Sequence, residues 1–305
     1  MANANLRKAK SAKNDEFYTQ LTDVSKELMH YKDHFKDKVV FCNCDDPSWS
    51  AFWRYFHLNF AHLGLKKLVS THYDREQPTF KMVYEGGDDN DVEVGTITPL
   101  EGNGDFRNAE CIELLKEADV IVTNPPFSLA REYIACLVEY QKKFLIVGDM
   151  NWITYKEVFP LLKDNQIWLG NCTVKEFIQP DGTIKKFGNK LWFTNLDHKK
   201  RHEKLILWKN YTPEEYPTFD ELPQIINVNK TADIPCDYNG YIAVPITFLD
   251  KYNPEQFEII EGLNRYTILD IFGVNDDVLK RHSHCCNING KSTYYRIVIR
   301  RKAGN

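Results

Sequence analysis

"DVIVTNPPFSL", residues 119–129, decides how this chain folds. Val120, Ile121 and Val122 make a β-branched run of the kind that fills a strand buried on both faces. Two successive prolines, Pro125 and Pro126, must stop it, because each fixes φ and removes a backbone donor. Asn124 stands at the break and Phe127 just past it, with Ser128 as a capping residue and a helical pattern running to about Tyr140. Strand, rigid turn and helix make one βα unit. In open α/β sheets, ligands bind at such turns, beyond the carboxyl ends of the strands.

The same alternation extends outward on both sides. Leu21, Val24, Leu28, Tyr31 and Phe35 recur at helical spacing, residues 39–44 read as a strand, and Trp49, Phe52, Trp53, Phe56 and Phe60 share one helical face. Strands are predicted at 66–71, 119–124 and 142–148, and helices at 109–118 and 154–164. Short apolar strands alternating with helices predict an α/β fold, with a mostly parallel sheet covered on both faces. Beyond about residue 200 the pattern changes: prolines at 213, 217, 223, 235, 245 and 254 cut the chain into β-rich pieces joined by turns. The expected organisation is an arm over 1–20, a core over 21–205, and a smaller irregular region over 206–305 ending in the basic strand "STYYRIVIRRK" at 292–302.

With 305 residues, 43% apolar and 13% aromatic, the chain can bury a large core, so disorder is excluded as its main character. Its long apolar stretches, such as 241–249, fall short of the roughly 20 residues a membrane span needs. Residues 1–13 lack the apolar segment of a secretion signal, so a cytoplasmic protein is expected. Eight cysteines without a CxxC pair suggest reduced thiols, and His282, His284, Cys285 and Cys286 match no common zinc spacing, so no metal is expected. The net charge of −4 conceals basic clusters at Arg7, Lys8, Lys10 and Lys13, at Lys199, Lys200, Arg201 and Lys204, and at Arg281, Lys291, Arg296, Arg300, Arg301 and Lys302. Such clusters suit phosphate contacts at chosen places, and equally suit solvated tails.

The turn itself has a chemistry. The Asn124 amide oxygen and the carbonyls of Asn124 and Pro125 form a rigid set of acceptors, matched to a planar amino group with two in-plane hydrogens. The exocyclic amine of adenine is such a group and a poor nucleophile, because its lone pair is delocalised into the ring. Accepting both hydrogens favours a pyramidal nitrogen and aims its lone pair at an electrophile such as a methyl on sulfur. Phe127 would stack on the base, which must leave the duplex to reach a pocket. A glutamine side-chain amide of a protein would be held equally well, so both acceptors stay open on these residues.

With those residues in place, "NPPF" matches the (N/D/S)PP(Y/F/W) signature of amino-methyltransferases dependent on S-adenosylmethionine. The chain more narrowly resembles the EcoRI-type adenine-specific DNA methyltransferase family. Ordered blocks carry the resemblance, among them "SAKNDEFYTQ" (11–20), "DKVVFCNCDDP" (37–47), "GDFRNAECIELLKEADVIVTNPPFSL" (104–129) and "INVNKTADIPCDYNGYIAVPITFLDKYNPEQFEII" (226–260). The resemblance implies N6-methylation of adenine in a short DNA sequence. It also implies a Rossmann-like core with a mostly parallel seven-stranded sheet, and a C-terminal region that reads the target.

Residue by residue, the resemblance gives Asn124, Pro125, Pro126 and Phe127 the catalytic turn. It gives Phe17, Tyr18 and Thr19, Asp45, Asp46 and Pro47, His72 and Tyr73, and Asp105 and Phe106 to the cofactor. Trp192 and Phe193 fall where related enzymes supply a second aromatic wall for the base, and Lys199, Lys200, Arg201, Arg300 and Arg301 are assigned to DNA. The usual glycine-rich turn is replaced by "CNCDDPSWS", and Asp74 is the nearest acid to the expected ribose position. The expected partners are double-stranded DNA and a restriction endonuclease acting on the same site, with a monomeric enzyme and no membrane contact. The competing readings are a glutamine-amide methyltransferase of the same fold and a DNA-binding relative without catalysis.

Overall fold

The computed structural model describes residues 18–178, 183–263 and 287–302. Phe17, the arm cations Arg7, Lys8, Lys10 and Lys13, and the histidine and cysteine cluster at 282–286 lie outside the described residues. The chain divides into two compact units, Met1–Val158 with Ile167–His198, and Phe159–Gln166 with Lys199–Asn305. The division falls at 198/199 rather than 205, and the second unit also takes a short upstream piece.

The first unit contains β1 (Tyr18–Thr19), α1 (Leu21–Leu28), β2 (Val39–Cys42), α2 (Ala51–Leu58), α3 (Phe60–Leu63), β3 (Lys67–Thr71), β4 (Phe80–Tyr84) and β5 (Thr96–Pro99). It continues with α4 (Ala109–Glu117), β6 (Val120–Thr123), α5 (Ala130–Glu139), β7 (Lys143–Asp149), β8 (Trp168–Ile178) and β9 (Ile184–Thr194). Of the residues at helical spacing, Val24, Leu28, Tyr31 and Phe35 are buried, the last two beyond α1 in or after a 3₁₀ turn, whereas Leu21 at the helix start is exposed. The Ser50 hydroxyl caps α2 by accepting the N–H groups of Phe52 at 3.1 Å and Trp53 at 3.2 Å. That cap leaves Trp49 outside the helix and 63% exposed, so it does not join the buried face expected of it. Likewise α5 starts at Ala130, after a 3₁₀ turn over Phe127–Leu129 that contains Ser128, so Ser128 is not its cap.

One sheet of nine strands runs β1-β8-β9-β7-β6-β2-β3-β4-β5. Only its centre, β7-β6-β2-β3, is parallel, and both flanks are antiparallel. The sheet is therefore mixed, not the mostly parallel seven-stranded one expected. The central strands β2 and β6 are buried at every position, which gives them the continuous apolar run that sequence reading detects. Flanking β5 is exposed throughout, and β8 and β9 mix buried with exposed positions, so they lack that signal.

The second unit contains α6 (Phe159–Lys163), β10 (Ile225–Asn227), β11 (Tyr241–Pro245), β12 (Phe257–Gly262), a ribbon of β13 (Asn287–Ile288) and β14 (Lys291–Ser292), and β15 (Arg296–Arg301). Four of these strands form a sheet in the order β10-β11-β15-β12. Phe219, Leu222, Ile225, Ala243, Leu263 and Val298 pack as its core. The region expected to be irregular thus owns a sheet and a core, and the basic terminal strand is an inner strand whose Ile297, Val298 and Ile299 are fully buried. Among the described residues no helix is long and apolar enough to cross a membrane.

Candidate active site

β7, β6, β2 and β3 run parallel, so the loops leaving their carboxyl ends lie side by side. Asp45, in the loop after β2, ties that loop to the ends of β6 and β3. Its carboxylate accepts the Ser50 hydroxyl at 3.0 Å, the Thr123 hydroxyl at the end of β6, and the backbone N–H of Asn124. Its own N–H donates to the Thr71 carbonyl of β3 at 2.9 Å, and its carbonyl accepts the Ser70 hydroxyl. Burial pushes this carboxyl up to about 7, while the hydrogen bonds from Thr123, Ser50 and Asn124 pull the other way. Asp45 is thus a buried clamp that holds Asn124 by its backbone.

Around that clamp the other expected residues separate into two groups. Asp46 and His72 meet, with Nε2 of His72 3.9 Å from Asp46 Oδ2, while Oδ1 of Asp46 accepts the Ser48 N–H at 2.9 Å. The Nδ1 atom of His72 is buried and has no partner among the described residues. Pro47 is buried beside them in the sequence, and Gly104 fits under the His72 carbonyl only because it lacks a side chain: at φ +71°, a Cβ would lie 1.8 Å from that oxygen.

The second group has other partners. Tyr73 is exposed and its hydroxyl accepts Arg75 Nε at 2.9 Å. Both oxygens of Asp105 take the Arg107 guanidinium, at 2.8 and 2.6 Å. Phe106 is buried edge-on to Tyr133, ring centroids 5.0 Å apart, and the Tyr133 hydroxyl donates to Asn43 Oδ1. Asp74 builds a turn by accepting the N–H groups of Glu76 and Gln77 at 2.8 and 3.1 Å. Tyr18 and Thr19 run along the sheet edge opposite Ile178 and Phe177, with the Thr19 hydroxyl buried.

Phe127, just past the prolines, is enclosed by aromatic side chains. It is buried edge-on to Trp152 at 6.0 Å and Phe177 at 6.2 Å, and the Lys190 ammonium lies 4.5 Å from its centroid. Trp192 and Phe193 are fully buried strand residues opposite Val147 and Ile146, with Trp192 edge-on to Phe52 and Phe193 against Trp152. Both rings are thus enclosed by other side chains in this structure. Sequence reading missed Lys190, Asn43 and Tyr133. A lysine in "KKFGNKLW" and a tyrosine in a helix carry no local sign of the partners they meet.

The basic residues have acids and carbonyls within reach. Lys199 is exposed, Lys200 pairs with Asp250 at 2.5 Å, and Arg201 donates to Asn165. Arg300 pairs with Glu258 at 2.8 Å, and Arg301 donates to the Cys236 carbonyl. The two acids, Asp250 and Glu258, come from segments distant in the sequence.

An acceptor-lined turn at the carboxyl ends of parallel strands suits an α/β transferase acting on a planar amine, and comparison with known proteins says which kind. The family model described as "Adenine-specific methyltransferase EcoRI" matches residues 5–302. The Type II methyltransferase M.EcoRI of Escherichia coli is 46% identical over 329 residues, covering 97% of this chain and 96% of its own. The Type II methyltransferase M.MpnI of Mycoplasma pneumoniae is 37% identical over 317 residues, covering 97% of each. No solved structure matches the chain. The chain belongs to the EcoRI adenine-specific methyltransferase family. It is an enzyme, a sequence-specific DNA adenine methyltransferase.

Proposed function

We propose that the enzyme moves a methyl group from S-adenosylmethionine to N6 of an adenine turned out of duplex DNA, with Asn124, Pro125, Pro126 and Phe127 holding the base. The observation that carries this reading is the Asp45 clamp, which fixes the Asn124 backbone against the ends of β2 and β3. A transition-state acceptor must be fixed before the reaction to be effective, and a three-donor carboxylate is a rigid anchor.

The residues present fit the cofactor. Asp46, beside His72, provides a carboxylate for its ammonium, and the buried Nδ1 of His72 is suited to a ribose hydroxyl. When bound, S-adenosylmethionine supplies an electrophilic methyl on sulfur. Asn124 and the Pro125 carbonyl accept the hydrogens of the adenine amine, Phe127 packs against the base, and the aromatic surround excludes water. The first unit is read as a Rossmann-like cofactor-binding core and the second as the target-recognition region. A monomer in the cytoplasm, with a restriction endonuclease acting on the same site, completes the proposal.

The test is Asn124→Ala. Methyl transfer from labelled cofactor to duplex DNA should disappear while DNA binding stays within about tenfold, because the acceptor acts chiefly in the transition state. A turnover number like that of the unaltered enzyme would refute the assignment. Long-read sequencing of DNA from cells expressing the protein should show methylated adenine in one short context.

A further inference from the structure

Lys190 on β9 has no role in the chemistry above, yet it lies beside the turn that would hold the base. It is 5% exposed, and its ammonium lies 2.5 Å from Asp149 Oδ2, 4.5 Å from the Phe127 ring centroid and 4.8 Å from that of Phe187. Burying an ammonium is costly unless it is paired, and here one carboxylate and two ring faces offset the loss of water. Asp149 is itself fixed: Oδ1 accepts the Asn151 N–H at 2.8 Å and Oδ2 the Asn189 side-chain amide at 2.9 Å. The lysine stem is the adjustable part.

Phe187 comes to this place through a bulge. Between the pairs Val174↔Lys190 and Glu176↔Lys186, β8 advances from 174 to 176 while β9 runs from 190 to 186. The irregularity takes Phe187 out of the ladder, beside an open surface depression that it lines with Val174, Glu176, Lys186 and Gly188. An ammonium and a purine are attracted to the same surface, the one by the ring quadrupole and the other by stacking.

We propose that Lys190 is a placeholder for the target base: its ammonium rests on Phe127 and Phe187 in the free enzyme, and the flipped adenine takes that position as the lysine swings off the rings while keeping Asp149. Phe187, rather than Trp192 or Phe193, then becomes the second aromatic wall. A resident cation keeps the rings apart and leaves the slot only when a better partner arrives. The proposal rests on the reading of residues 124–127 as the base-holding turn.

The test uses the full chain and a duplex carrying 2-aminopurine at the adenine that the unaltered enzyme methylates. Emission of the bound probe rises when it leaves the stack. Lys190→Ala should raise that emission about three- to tenfold at limiting protein, because one desolvated cation–π contact no longer competes with the base, and Lys190→Arg should restore the original level. Phe187→Ala should lower it. Unchanged or lower emission with Lys190→Ala overturns the proposal.

Should Lys190→Ala not fold, the unaltered protein with ¹³C-labelled lysine carries the test. One lysine Cε resonance, shifted upfield by the two rings, should return to its ordinary position when the target duplex and a non-reactive cofactor analogue bind. A resonance that stays upfield while the probe reports an unstacked base overturns the proposal. Loss of the base-holding reading looks different: Asn124→Ala would then keep its turnover whatever Lys190 does.

Discussion

Asp45 joins parts of the chain that sequence reading treats separately. The turn at Asn124 was legible because β-branched residues followed by two prolines can do little else than end a strand. Its anchor was not, since Thr123 lies 78 positions from Asp45 and nothing local marks the pair. Burial raises the Asp45 carboxyl from 3.8 to about 7, so the folded protein holds that proton more tightly than the unfolded chain does. Its contribution to stability is therefore fully present below about 3.8 and lost as pH rises through about 7. Urea unfolding of Asp45→Asn across that window should show the decline flattened relative to the unaltered protein. Parallel pH profiles for the two proteins would show that Asp45 is not the group responsible.

At the scale of elements, Glu27 shows how the antiparallel flank is held to the core. Its charge alone would give this residue of α1 a place in solvent, yet it sits three residues from Val24 and four from Tyr31 on the inner face and is fully buried. Its carboxylate accepts the N–H groups of Asn171 and Cys172, both at 2.7 Å, and the Tyr31 hydroxyl at 2.8 Å. Those two amides belong to a bulge in β8, between the pairs Leu169↔Phe193 and Thr173↔Leu191, where the ladder cannot satisfy them. Gly170 permits the approach, because a Cβ there would lie 2.2 Å from Glu27 Oε1. Glu27→Leu should lower the unfolding free energy by about 3 kcal/mol, since each stranded donor costs roughly 1–3 kcal/mol. A urea midpoint that falls with an unchanged m-value is the expected observation, and a loss below about 1 kcal/mol would mean that water satisfies the bulge.

Over the whole molecule, charge is where local reading and tertiary structure differ most. Residues 287–302 contain no acid, but β12 runs antiparallel to β15 and sets Glu258 opposite Arg300. Lys200 similarly reaches Asp250. The Arg300–Glu258 pair is exposed and therefore weak, so its cation can exchange a carboxylate for a phosphate. Arg300→Ala should reduce the slope of log binding constant against log salt by about one, and Glu258→Gln should keep or raise it. Equal slopes for the three proteins would place Arg300 away from the phosphates.

The sequence by itself determined the buried central strands, the rigid Asn-Pro-Pro-Phe turn and the family, because apolar runs, proline stereochemistry and ordered motifs are properties of neighbouring residues. Tertiary structure alone decided which carboxylate anchors that turn, that Trp192 and Phe193 belong to the core, and that Lys190 lies over the Phe127 ring. Each of these depends on strand order, register or a bulge that brings together residues far apart in the chain. A chain of side chains does not encode such meetings locally. They follow from how the strands pair and where the ladder breaks.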